Sequence, residues 1–239
     1  MSGLVLHTVF DVFAWMAAGL AALWLTRVQK IAFPAATTDL PYIAAVVLGA
    51  GLGAVLFGTL NMTVSGMPGA GRSIEGAIAG GIVAVELYKY ATGLRLRTGA
   101  RFALPLAVGV AVGRIGCHLA GIEDFTHGTP TTLPWGHDFG DGVLRHPVQL
   151  YESAAMTTFA LLYVVKVMNR DTAWIDRGFY AAVGFYGAQR FAWEFLKPYG
   201  TLVGPFTVFH LLSAALVVWA VVMLATAPEP GDPNDRTVA

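Results

Sequence analysis

Residues 113–152 read GRIGCHLAGIEDFTHGTPTTLPWGHDFGDGVLRHPVQLYE, a polar stretch set between long apolar segments. It holds Arg114 and Arg145, the histidines His118, His127, His137 and His146, the single cysteine Cys117, and the acids Glu123, Asp124, Asp138, Asp141 and Glu152. Ionisable groups this dense, beside or inside apolar spans, are costly unless they pair with one another or face water. The stretch is therefore the default functional site, and its flanks decide the fold.

Those flanks are suited to a bilayer. The 239 residues are 56% hydrophobic and only 13% charged, with a mean hydropathy of +0.61. A soluble domain of this size carries more charge, so the composition predicts an all-α integral membrane protein. Spanning requires about 20 apolar residues, and suitable runs fall at 9–26, 41–60, 74–92, 102–120, 148–168, 178–196 and 205–226. About seven transmembrane helices follow, with a polar loop between the fourth and fifth. Residues 1–227 form one transmembrane domain. The Pro-rich end PEPGDPNDRTVA (228–239) reads as a disordered cytoplasmic tail. The N-terminus lacks a basic leader segment, so the first run is expected to remain as a span.

Orientation follows from the basic residues. Arg27, Lys30, Lys89, Arg95, Arg97, Arg101, Lys166, Arg170 and Arg177 all fall at one set of helix ends, which the positive-inside rule makes cytoplasmic. The N-terminus and the 121–147 loop then face outward, and the chain belongs in the inner or plasma membrane with its C-terminus in the cytoplasm. Arg72, Arg114, Arg145, Arg190 and Lys197 sit at the opposite, outward end. Something other than topology must hold them there, either an anionic ligand or internal carboxylates. The zero formal net charge suggests no nucleic-acid partner. Gly76 and Gly80 have the spacing that lets helices pack closely.

The segment Arg145-His146-Pro147-Val148-Gln149-Leu150-Tyr151-Glu152 opens the fifth helix. Pro147 suits a first turn, where its missing N–H costs nothing. Gln149 and Glu152 are three residues apart and share a face. Arg145 and His146 precede a helix N-terminus, which favours an anion such as phosphate. The plainer reading is a capped helix start carrying a solvated acid.

This segment resembles the Arg-His-Pro-Ser-Gln-Leu-Tyr-Glu signature of the prolipoprotein diacylglyceryl transferases. Gly113-Arg114-Ile115-Gly116 is similar to the family's Gly-Arg-x-Gly-Asn segment. Tyr186-Gly187-Ala188-Gln189-Arg190, followed by Glu194, resembles its Tyr-Gly-x-x-Arg…Glu helix. The resemblance implies transfer of the diacylglyceryl group of phosphatidylglycerol to a cysteine thiol in a prolipoprotein signal peptide, with glycerol phosphate leaving. That chemistry needs cations for the phosphate and a base for the thiol proton. Arg114, Arg145 and Arg190 are the candidates for the first need, because a guanidinium fork matches phosphate geometry. Glu194, one turn after Arg190, either orients that guanidinium or merely neutralises it. Tyr151, Tyr186, Gln149 and Glu152 are the further candidates for substrate contact. No cofactor or metal is implied, and Asp138 with Asp141 on one loop is a weak cation motif.

The chain also departs from that pattern. Glu75 stands where the family's third helix carries a histidine, and Cys117 stands where it has an asparagine. Gly128 takes the place of the second glycine in a replaced loop motif. The base therefore remains open: Glu75 if burial raises its pKa, or one of His118, His127 and His146 nearby. Arg72, three residues before Glu75, is an alternative partner that would make Glu75 structural. A related enzyme with another acceptor, and a non-catalytic phospholipid-binding or transport protein, stand as alternatives.

Overall fold

The computed structural model describes residues 3–229. Each apolar run becomes a helix: α1 (Gly3–Leu23), α2 (Leu40–Val64), α3 (Ile74–Thr92), α4 (Ala103–Ala120), α5 (Val148–Met168), α6 (Thr172–Glu194) and α7 (Val208–Ala225). Five segments, containing α1, α2, α4, α5 and α7, are long and apolar enough to cross a bilayer. The tail beyond residue 229, expected to be disordered, lies outside the described residues.

The helix ends are set by local chemistry. Ser73 caps α3 by accepting from the Gly76 N–H, and Gly93 ends it at φ +73, a conformation that favours glycine. The sixth apolar run starts at 178, yet α6 begins at Thr172 because the Asp171 side chain accepts from the Trp174 N–H. The polar residues Asp176 and Arg177 hide that first turn from an apolar count. In the seventh run, Phe206–Thr207 instead pairs with Thr201–Val203 as a short hairpin. Thr207 then caps α7 in a reciprocal box with His210.

Neighbours in space pack as α2 on α3, α1 on α4, α4 on α5, α5 on α6 and α6 on α7. The α2–α3 contact is backbone against backbone. A Cβ at Gly53 would strike the Gly76 carbonyl, and one at Gly80 would strike that of Gly49. The buried apolar core lies among α4–α7, with Ala107, Met156, Tyr163, Val183 and Leu216 at its centre. α1 and α2 turn large apolar residues outward, as Trp15 (78% exposed) and Leu48 (72%) show. Outward apolar side chains are what lipid contact asks for.

At the end carrying most basic residues, arginines close open carbonyls. Arg97 donates to the carbonyls of Met223 and Thr226 near the end of α7, and Arg170 donates to that of Gln29. Cations are favoured there because helix C-termini leave their last carbonyls unpaired. Glu86 and Lys89 pair with each other one turn apart, as their spacing implies.

Candidate active site: a buried six-charge cluster

Opposite that end, α3–α7 converge on a cluster of charges. Glu152 on α5 is fully buried and receives three cations: Arg114 of α4 through Nε, Arg190 of α6 through Nη1 at 2.8 Å, and Lys197 at 3.0 Å. Arg190 also reaches Glu75 of α3 through Nε at 3.2 Å, and Glu194 through Nη2 at 2.8 Å. All three guanidinium nitrogens of Arg190 therefore hold a different carboxylate. Ser213 Oγ donates to Glu75 at 2.6 Å, and Thr207 Oγ1 donates to Glu194 at 2.7 Å. The Phe209 ring lies 5.1 Å from the Arg190 guanidinium carbon.

Three cations (Arg114, Arg190, Lys197) meet three carboxylates (Glu75, Glu152, Glu194), so the cluster is neutral when all are ionised. Burying any one of these charges alone would be expensive, and mutual pairing with further hydrogen bonds is what offsets the loss of water. Tyr186, one turn before Arg190, is fully buried, and its hydroxyl has no protein partner among the described residues. Gln149, one turn before Glu152, is also buried and donates to Thr126 Oγ1 at 3.3 Å, leaving its own Oε1 unpartnered among the described residues.

The structure divides the residues marked out by sequence. Glu75, Arg114, Gln149, Glu152, Tyr186, Arg190 and Glu194 come together around the cluster. Arg145, His146 and Gly128 belong to the loop before α5, and Tyr151 lies in the first turn of α5, in contact with that loop. Arg145 does not join the other two arginines: both its terminal nitrogens fork onto Asp141, at 2.6 and 2.7 Å. That fork holds the Asp141 carboxyl below the usual carboxylate range. His146 Nδ1 lies 3.3 Å from the Tyr151 hydroxyl, which also accepts from Trp135 Nε1 at 2.8 Å. Gly128 donates to the His146 carbonyl, and a Cβ there would collide with His146.

Glu75 is held by Arg190 and Ser213 rather than by Arg72. Glu152, whose plainer reading was a solvated acid, is the hub of the cluster. His118 packs its ring against His137 and Phe139, with centroids at 4.6 and 5.4 Å. His127 Nδ1 lies 3.1 Å from the Gly128 carbonyl oxygen. Lys197, Ser213 and Thr207 were missed as site residues. Lys197 did carry a signal, as a cation on the outward side that topology leaves unexplained. A lone serine or threonine in an apolar helix carries none.

A cavity of about 260 Å³ follows α3, and none of the six clustered charges lines it. It runs from Ile74 to Glu86, about 18 Å at 1.5 Å per residue, and its walls include Val46, Ile78, Ile82 and Phe179. α3 thus carries Glu75 in the cluster and its chain neighbour Ile74 on the cavity wall.

The family described as prolipoprotein diacylglyceryl transferase matches residues 4–226. The phosphatidylglycerol–prolipoprotein diacylglyceryl transferase of Geobacter sulfurreducens is 31% identical over 191 residues, covering 74% of this chain and 72% of that protein. Its namesake in Nitratidesulfovibrio vulgaris strain Hildenborough is 36% identical over 166 residues, 65% of this chain and 61% of that one. The namesake in Bordetella parapertussis is 34% identical over 140 residues, 56% and 51% of the two chains. The chain thus spans less than two thirds of the second and third of these relatives. With the match running through α1–α7, this chain belongs to the prolipoprotein diacylglyceryl transferase family.

Proposed function

We propose that this protein moves the diacylglyceryl group of phosphatidylglycerol onto the cysteine thiol of a prolipoprotein signal peptide. The observation carrying this reading is the convergence of Arg114, Arg190 and Lys197 on the buried Glu152, with an apolar cavity running along α3, the helix that brings Glu75 to the same cluster. A phospholipid has the same two parts. Its acyl chains suit the trough, and its phosphate suits Arg114 and Arg190. Phosphate departure develops negative charge on oxygen, and preorganised guanidinium donors stabilise that charge where water is excluded.

Within this reading, Glu152 and Glu194 fix the planes of the two guanidinium groups. Glu75 acts as a positioning residue for Arg190, since both its oxygens are already engaged. Gln149 and Tyr186 offer unpartnered polar atoms to the donor's headgroup. The loop residues Arg145, His146 and Gly128, with Tyr151 at the start of α5, shape the approach of the acceptor from outside. The fold is read as about seven spans in one domain, with the N-terminus and the 121–147 loop outward, in the bacterial inner membrane.

The test is to incubate purified protein with labelled phosphatidylglycerol, with and without a lipobox peptide, and to identify products by mass spectrometry. A peptide gaining the diacylglyceryl mass, with glycerol phosphate released, is expected. Donor turnover that ignores the peptide would point to another acceptor. Donor binding with no turnover would mean a phospholipid-binding protein.

A further inference from the structure

At the same end of the bundle, beside Arg114, a second group of side chains meets where α1 reaches α4. Gly116 allows the approach, because a Cβ there would collide with Phe10. His7 Nε2 comes 3.5 Å from Cys117 Sγ and 3.4 Å from Asp124 Oδ1. The three donor atoms lie within 4.8 Å of one another. One ring nitrogen thus faces a sulfur and a carboxylate oxygen together, and a single N–H shared between them would be poorly aligned with each.

A shared cation fits that geometry. Tetrahedral zinc bonds nitrogen and oxygen at about 2.0–2.1 Å and sulfur at about 2.3 Å, giving edges of about 3.4 Å for N···O and about 3.5 Å for N···S. The observed separations match both edges. Outer partners are also in place. His7 Nδ1 lies 3.5 Å from Asp11 Oδ2, the carboxylate–histidine arrangement that fixes which nitrogen faces a metal. Thr126 Oγ1 donates to the other oxygen of Asp124 at 2.7 Å, leaving Oδ1 for the ion. Thiolate, imidazole and carboxylate together suit zinc and disfavour magnesium or calcium.

We propose that His7, Cys117 and Asp124 form a zinc site whose fourth position takes the acceptor cysteine as a thiolate. This rests on the transferase reading above. Three protein ligands leave one tetrahedral position open, as in catalytic zinc sites, and a thiol that coordinates zinc is deprotonated outright. The thiol proton passes to water at the outward face. The sulfur then attacks the glyceryl carbon of the lipid, forming the C–S bond. The C–O bond to phosphate breaks, and its electron pair leaves with glycerol phosphate. Arg114 joins the two parts: its Nε is on Glu152, and its Nη1 is 3.9 Å from Cys117 Sγ. The site also gives a purpose to the cysteine that stands where the family has an asparagine, and it supplies the thiolate that Glu75, tied to Arg190, is poorly placed to generate.

The experiment is cobalt substitution of the purified full chain. One Co²⁺ per chain with a thiolate-to-cobalt charge-transfer band is expected, and a lipobox peptide should roughly double that band by adding a second thiolate. Cys117→Ser should abolish it. Asp11→Asn, which touches only the outer partner of His7, should weaken metal affinity about 10–100-fold. The wild-type spectrum decides the site even if a variant fails to fold. No stoichiometric binding, or binding without the band, overturns the site. A band indifferent to the peptide overturns its acceptor role. Transfer from phosphatidylglycerol on the same samples separates the two readings. Undiminished turnover in metal-free protein overturns the zinc proposal and keeps the reaction. No turnover in zinc-loaded protein overturns the reaction, and the spectrum still decides the site.

Discussion

Glu75→Gln separates a proton-transfer role from a positioning role. The substitution keeps the shape and removes one charge, taking the cluster from neutral to +1. The substituted amide can still accept from Arg190 Nε through its oxygen, and its NH₂ can donate to Ser213 Oγ once that hydroxyl turns. Both contacts survive in weaker form. A hydrogen bond to a charged group contributes about 1.5–3 kcal/mol and a neutral one about 0.5–1.5, so two weakened bonds cost about 2 kcal/mol. For a chain of this length that corresponds to a fall of about 4–8 °C in Tm. Thermal unfolding in detergent, followed by fluorescence, reads the first quantity, and steady-state turnover of labelled phosphatidylglycerol reads the second. If Glu75 only positions Arg190, kcat falls by about tenfold or less. Removing a general base costs about 10²–10⁴-fold. A loss in that range, with KM unchanged and Tm lowered by no more than this, would refute the positioning role.

Arg190→Lys keeps the charge, but one ammonium cannot hold three carboxylates arranged around a planar fork. Loss of most activity and a destabilisation of about 3 kcal/mol are expected, read by the same two assays. Val46→Trp fills the trough without touching the cluster, so KM for the donor should rise several-fold while kcat stays within about twofold. In a Cys117→Ser background, cysteine at Thr132 should react with an impermeant thiol reagent in intact cells and cysteine at Thr92 should not. The reverse pattern would invert the topology.

The fold was legible where apolar length alone decides it. The runs at 74–92 and 148–168 coincide with α3 and α5. It was less legible at α6, where a capping aspartate and a charged first turn extend the helix past what hydropathy marks. The site was legible through single residues. Arg114, Glu152, Arg190 and Glu194 are costly in a span without partners, and here they are one another's partners. The contiguous motif misled at Arg145. Pro147, with ψ 66, ends the extended segment in which Leu144–Arg145 pairs with His137–Asp138 and starts α5. Arg145 and Glu152, seven residues apart, therefore belong to different layers. The pairing of His7 with Cys117 and Asp124 joins residues more than 100 positions apart, which no local spacing reveals.

The neutral cluster also bears on how the chain enters the membrane. α3 and α6, which bring Glu75, Arg190 and Glu194, are absent from the spans apolar enough to cross unaided. Each charged residue raises the cost of moving a lone helix into lipid by up to about 2.5–3.5 kcal/mol at the centre of the span. Glu75 leaves the ribosome more than 100 residues before Arg190, its partner, is made. Seating α3 in lipid is therefore easier once α6 supplies Arg190 than before. A chain truncated before α6 would keep the Arg114–Glu152 pair but leave Glu75 without Arg190, one uncompensated charge in the α2–α3 pair.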